Sequence, residues 1–146
     1  MVKSTQTREQ TLAFHARLAG VAGLVPFIAP LMVLWWYPAW HDLAIATQHG
    51  YAALILSFLG GIYWGVALHR STARWIWLSV LPTLWAWPAL LLPAGLSASM
   101  LASGFVLMTL LDTIARREAA IREWFFRLRL TLSAVATVCL VAGMFV

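Results

Sequence analysis

The sequence predicts an all-α integral membrane protein of five transmembrane helices, with an interfacial amphipathic helix between the fourth and fifth. Three observations carry this. Of the 146 residues, 62% are hydrophobic and 10% charged, against roughly 45–50% and about 25% in soluble domains. The apolar residues fall in runs near the length of about 20 residues that a helix needs to cross hydrocarbon. The ten Lys and Arg are confined to segments flanking those runs. One membrane domain, residues 18–146, follows a short cytoplasmic segment, residues 1–17, and leaves no room for a soluble catalytic module.

The first span is read at about 18–37. The residues after it, Trp36, Tyr37, Pro38, Ala39 and Trp40, are too bulky for a signal-peptidase site, so an uncleaved anchor is expected. The second span is about 51–68, the third 75–92, the fourth 96–111 and the fifth 130–146; none contains Lys, Arg, Asp or Glu. Trp35, Trp36, Tyr37 and Trp40 at the exit of the first span, with Trp75 and Trp77 at the entry of the third, read as headgroup-level anchors.

Orientation follows from the basic residues. Lys3, Arg8 and Arg17 precede the first span, Arg70 and Arg74 join the second and third, and Arg116, Arg117, Arg122, Arg127 and Arg129 join the fourth and fifth. With five spans, all of these lie on one side, which the positive-inside rule makes the cytoplasm, or the matrix in a mitochondrion. Val146 is then expected at the opposite surface. In the last basic segment, Ile114, Ile121, Trp124, Phe125 and Leu128 recur at helical spacing with the charges largely opposite them, which predicts the interfacial helix.

Composition also excludes function classes. The net charge of +5 reflects topology and anionic headgroups rather than nucleic acid. The single cysteine, Cys139, sits among apolar neighbours, so neither a disulfide framework nor a cysteine metal site is available. His41, Asp42 and His49 share the uncharged side but lack a ligand spacing motif, and no metal is expected. There is no nucleophile elbow, phosphate loop or paired-carboxylate motif, so the reading leans away from an enzyme.

The most specific local feature is the run from Ser57 through Gly60, Gly61, Tyr63 and Trp64 to Gly65. Ala53, Ser57, Gly61 and Gly65 repeat every fourth residue, which aligns small side chains on one helix face and lets another backbone approach. Packing within the chain is the plain reading. A homodimer seam, or a gap at Gly60 and Gly61 walled by Tyr63 and Trp64 and filled by a ligand tail or ion, are the functional ones. Pro26 and Pro30 in span one, with Pro82 and Pro88 in span three, each free a helix carbonyl. Pro82 is near the expected midplane, where kinks also occur for packing alone. Asp112 is the acidic residue nearest a span core, and an interfacial ion pair with Arg70, Arg116 or Arg129 is expected for it. The arginines 116, 117, 122, 127 and 129 form a candidate surface for anionic lipid or an acidic partner loop.

Residues 51–65, read as Tyr-x5-Ser-Phe-Leu-Gly-Gly-x-x-Trp-Gly, together with the 112–129 stretch containing Trp124-Phe125 and Leu128-Arg129-Leu130, resemble the two shared blocks of a bacterial and mitochondrial membrane family. That family carries a domain-of-unknown-function label and includes transmembrane protein sixty-nine. The resemblance covers roughly residues 17–146. It implies about five spans and an inner-membrane location, bacterial or mitochondrial, and it brings no catalytic residues or activity. Members often have histidine before the Trp-Gly pair; this chain has Tyr63, so a role resting on an imidazole there does not carry over.

The leading functional expectation is a non-enzymatic inner-membrane protein acting through helix packing, as a homo-oligomer or as a subunit of a larger membrane complex. Alternatives are a small transporter or channel whose path passes the span-two glycines, and a protein that binds lipid or quinone beside Trp64 and Trp85. No cofactor is predicted beyond such a bound lipid or quinone.

Overall fold

Pro26 breaks the first apolar run in two. In the computed structural model, which describes residues 2–145 and their side chains from residue 8 onward, α1 (Val2–Ala22) stops at Gly23 and α2 (Val25–Trp36) begins two residues later. Proline has no N–H to donate and its ring crowds the carbonyl four residues back, but it suits the first turn of a new helix, where Pro26 stands. The Gly23 carbonyl at the break accepts the Tyr51 hydroxyl at 2.9 Å. Val146 and the side chain of Lys3, both assigned to a membrane side above, lie outside the described residues.

One 3-10 turn, Pro38–Trp40, leads into α3 (His41–Arg70). Residues 41–50, read above as a connection, are therefore the first turns of the longest helix. Asp42 in its first turn and His69 and Arg70 in its last complement the helix dipole, and the chain then reverses at Ser71, which has φ 53°. The later helices are α4 (Ala73–Ala89), α5 (Ala94–Arg117) and α6 (Glu123–Ala142).

The separate interfacial helix is not found. Residues up to Arg117 finish α5, a turn carries the chain through Ala119 at φ 52°, and Glu123 opens α6. The apolar period that suggested a helix is real, but it belongs to the ends of two helices.

Among the described residues, four stretches are long and apolar enough to cross a membrane: 8–36, 38–70, 94–117 and 123–142. At 17 residues, α4 rises about 26 Å at about 1.5 Å per residue, short of the hydrocarbon thickness of about 30 Å.

The helix α3 is the centre of the bundle, packing most extensively on α4 and also on α2 and α5, while α5 pairs with α6. Phe27, Leu56, Tyr63, Trp75, Leu101 and Phe105 are among the buried core. Phe27 meets Tyr51 and Phe105 edge to face, with ring centroids 5.2 and 5.9 Å apart, and its carbonyl accepts Gln48 Nε2 at 2.9 Å. By contrast, no α1 residue from Arg8 onward is buried.

Candidate functional site

Seven residues before its end, α3 turns Tyr63 into the bundle, where its hydroxyl donates to Asp112 Oδ1. From α6, Arg129 Nε donates to the other carboxylate oxygen at 2.8 Å. All three residues are buried, Tyr63 completely. Of the arginines offered to Asp112 by the sequence, Arg129 is the partner, and the pair is buried within the bundle. Arg70 instead reaches the Ala119 carbonyl at 2.6 Å, and Arg116 pairs with Glu123 at 2.9 Å.

A column of stacked rings and cations includes Arg129 of this pair. Arg74 lies over Trp75 at 5.0 Å, Trp75 stacks on Tyr63 at 5.1 Å and 11°, and the Arg129 guanidinium lies 5.7 Å from the Tyr63 and Phe125 rings. Charged groups are expensive in hydrocarbon and persist when paired. Ring faces add cation–π attraction of about 0.5–2 kcal/mol each. One level of the protein thus ties α3, α4, α5 and α6 together.

Arg129 retains donor capacity. Its two terminal nitrogens both lie 3.5 Å from the Leu59 carbonyl, at the long end of the range for N–H donors. The residue also lines a groove of about 360 Å³ between α1 and α2 on one side and α3 and α6 on the other. Gly20, Phe27, Ile55, Phe58 and Leu132 are among its overwhelmingly apolar walls. Small residues on α1 make room for it: a β-carbon on Gly20 would lie 2.7 Å from Leu132 Cδ1.

The glycines of α3 divide by direction. Gly60 is buried at the crossing of α3 and α4, where a β-carbon would collide with the Ser79 carbonyl and lie 3.0 Å from Pro82 Cγ. The space expected for a ligand beside Gly60 is therefore occupied by Ser79 and Pro82. Gly61 and Gly65 point outward with nothing within 4 Å of their β positions. Ser57 is half-buried and Trp64 is exposed, on the side of α3 away from Tyr63. The stripe therefore starts against the core at Ala53 and leaves the bundle by Gly61, and Tyr63 and Trp64 do not form one wall.

Of the arginine surface, Arg116, Arg117, Arg122 and Arg127 are exposed and Arg129 is not. Arg122 pairs with Glu9, and Arg127 with Glu123 at 2.9 Å. At the far end His41 Nδ1 lies 3.2 Å from Asp42 Oδ1, while His49 is buried on α3, about 12 Å along the helix from His41 at about 1.5 Å per residue. Among the described residues no group of three His, Cys, Asp or Glu is placed to hold a metal.

Sequence reasoning paired Asp112 with an arginine and named Tyr63 as a ligand wall, but missed the contact between the two, which spans 49 residues. The available signal was that Asp112 is the acidic residue nearest a span core, so any inward tyrosine at its depth was a candidate.

No solved structure matches the chain. Three curated relatives do, two of them the following. Transmembrane protein 69 of Xenopus tropicalis is 36% identical over 141 residues, covering 86% of this chain and 51% of that protein. Transmembrane protein 69 of Mus musculus is 31% identical over 126 residues, covering 83% and 51%. The chain thus spans about half the length of these relatives. Residues 12–145 match the family model described as "Protein of unknown function (DUF3429)", and with these relatives the match makes the chain a membrane protein belonging to that family.

Proposed function

We propose that this chain is a non-enzymatic inner-membrane protein that holds a lipid chain between its first pass and α6. Its N-terminus lies on the cytoplasmic or matrix side, and with the short α4 counted as a pass the five passes segregate the basic residues to that side. The carrying observation is the 360 Å³ groove whose polar wall includes the buried Arg129. Its size falls within the range of about 300–1,000 Å³ for ligand pockets. The walls suit an acyl or isoprenoid chain, and the guanidinium of Arg129, with five N–H donors, suits a ligand oxygen. Because Asp112 already balances the Arg129 charge, that oxygen belongs to a neutral acceptor such as an ester or ketone carbonyl.

The test is native mass spectrometry of the full chain extracted in mild detergent. One retained lipid per chain is expected, and Ala19→Trp, which adds bulk to the groove from an exposed position on α1, should expel it. Wild-type protein without lipid, or retention unchanged by Ala19→Trp, would overturn the reading.

A second reading, self-association or docking to a larger membrane complex, is favoured by the outward Gly61 and Gly65 beside exposed Leu54, Phe58 and Leu68. Gly61→Leu with Gly65→Leu should then shrink the detergent-solubilised assembly. The transporter or channel alternative draws less support: Ser79 donates to the Ile76 carbonyl at 2.6 Å, Thr83 is on the outside of α4, and Tyr63 is committed to Asp112.

A further inference from the structure

We infer that the lipid in the groove is an anionic glycerophospholipid whose phosphate is held by Arg17, Arg122 and Arg127. The inference rests on the lipid-holding reading and adds the headgroup to it.

A second, open cavity of about 840 Å³ is lined by Glu9, Arg17, Arg122, Glu123, Arg127 and Leu128, among others. Leu128 also lines the apolar groove, so the two spaces meet along the seam between α1 and α6. The combined site is charged at its mouth and apolar along its length, the polarity profile of a lipid standing in one leaflet. The apolar part runs from Leu128 to Ala136 on α6, about 12 Å at about 1.5 Å per residue. Arg129 is two residues deeper than Arg127, about 3 Å along the helix. A phosphate at the mouth would set the ester carbonyls near the Arg129 guanidinium.

The charge balance selects an anion. Arg122 is matched by Glu9, and Arg127 shares Glu123 with Arg116. Among the described residues, Arg17 has no carboxylate partner. The mouth thus holds three guanidinium groups against two carboxylates, one of them divided between two arginines. These ion pairs are solvent-exposed and individually weak, whereas a phosphate offers guanidinium a bidentate acceptor. A zwitterionic headgroup would leave the excess positive charge unmatched.

The test titrates the delipidated full chain in mild detergent with phosphatidylglycerol and phosphatidylcholine of identical acyl chains, read by native mass spectrometry. Phosphatidylglycerol should bind about tenfold more tightly, with the preference falling as salt is raised. Arg17→Gln, on the exposed face of α1, and Arg127→Gln should each reduce that preference and together reduce it to within about twofold. Equal binding of both lipids to wild type would overturn the headgroup inference and leave the groove reading standing. Failure to bind either lipid would overturn both. Competition by inorganic phosphate at the concentration that phosphatidylglycerol requires would place recognition at the mouth alone and overturn the joint site.

Discussion

Arg129 Nε lies 2.8 Å from Asp112 Oδ2, and each of the two side chains is 3% exposed. Removing one charge leaves the other stranded, which typically costs about 3–5 kcal/mol. Asp112→Leu and Arg129→Leu should each lower stability by about that amount in reversible detergent denaturation. Joining Asp112→Leu to Arg129→Leu should recover much of the loss, since apolar replacements of buried pairs are often tolerated. Additive losses in the double variant would show that the pair is not the source of the effect.

Tyr63→Phe keeps the ring that stacks on Trp75 and deletes the donor to Asp112. An orphaned buried acceptor costs about 1–3 kcal/mol, so this variant should be less stable by that margin. Wild-type stability in the same denaturation series would count against a structural role for the hydroxyl.

Adjacent glycines should answer substitution in opposite ways. Gly60→Ala forces apart α3 and α4 at Ser79 and Pro82 and should cost about 1–3 kcal/mol, as overpacking does. Gly61→Ala enters open space and should be neutral or stabilising by up to about 1 kcal/mol through helix propensity. Unfolding midpoints of the two variants, measured side by side, check the contrast.

The exposed clasp between the two basic turns should matter far less. Arg74 pairs with Glu118 beside the Arg70 contact to the Ala119 carbonyl, and Arg74→Ala should lose no more than about 1 kcal/mol, with the effect shrinking in salt. A loss as large as that of Arg129→Leu would mean that the cation over Trp75 contributes more than surface pairing allows.

Much of this architecture was legible because helix length and charge placement are local properties. The α3, α5 and α6 runs, the basic turns and the pairing of Asp112 with an arginine all follow from short-range pattern. Helix rotation does not. Whether Gly60 or Gly61 faces a neighbour depends on how α3 rolls against α4, and both glycines read alike in one dimension. The turn between α5 and α6 was hidden for a different reason: Ala119 adopts φ 52° without the glycine or asparagine that usually announces such a conformation. Arg129 reads as a flanking charge because it precedes an apolar run, yet α6 begins at Glu123 and carries it inward.

The broken first pass has a consequence for local stability. Beyond Gly23, α2 is held by Phe27, Pro30 and Leu34 in the core, while α1 contributes no buried side chain from Arg8 onward. Segments with few buried contacts open at the lowest free energy. Backbone amides of α1 should therefore exchange with deuterium before those of α2, although the two belong to one apolar run. The seam where a lipid would enter from the side should therefore also be the first to open.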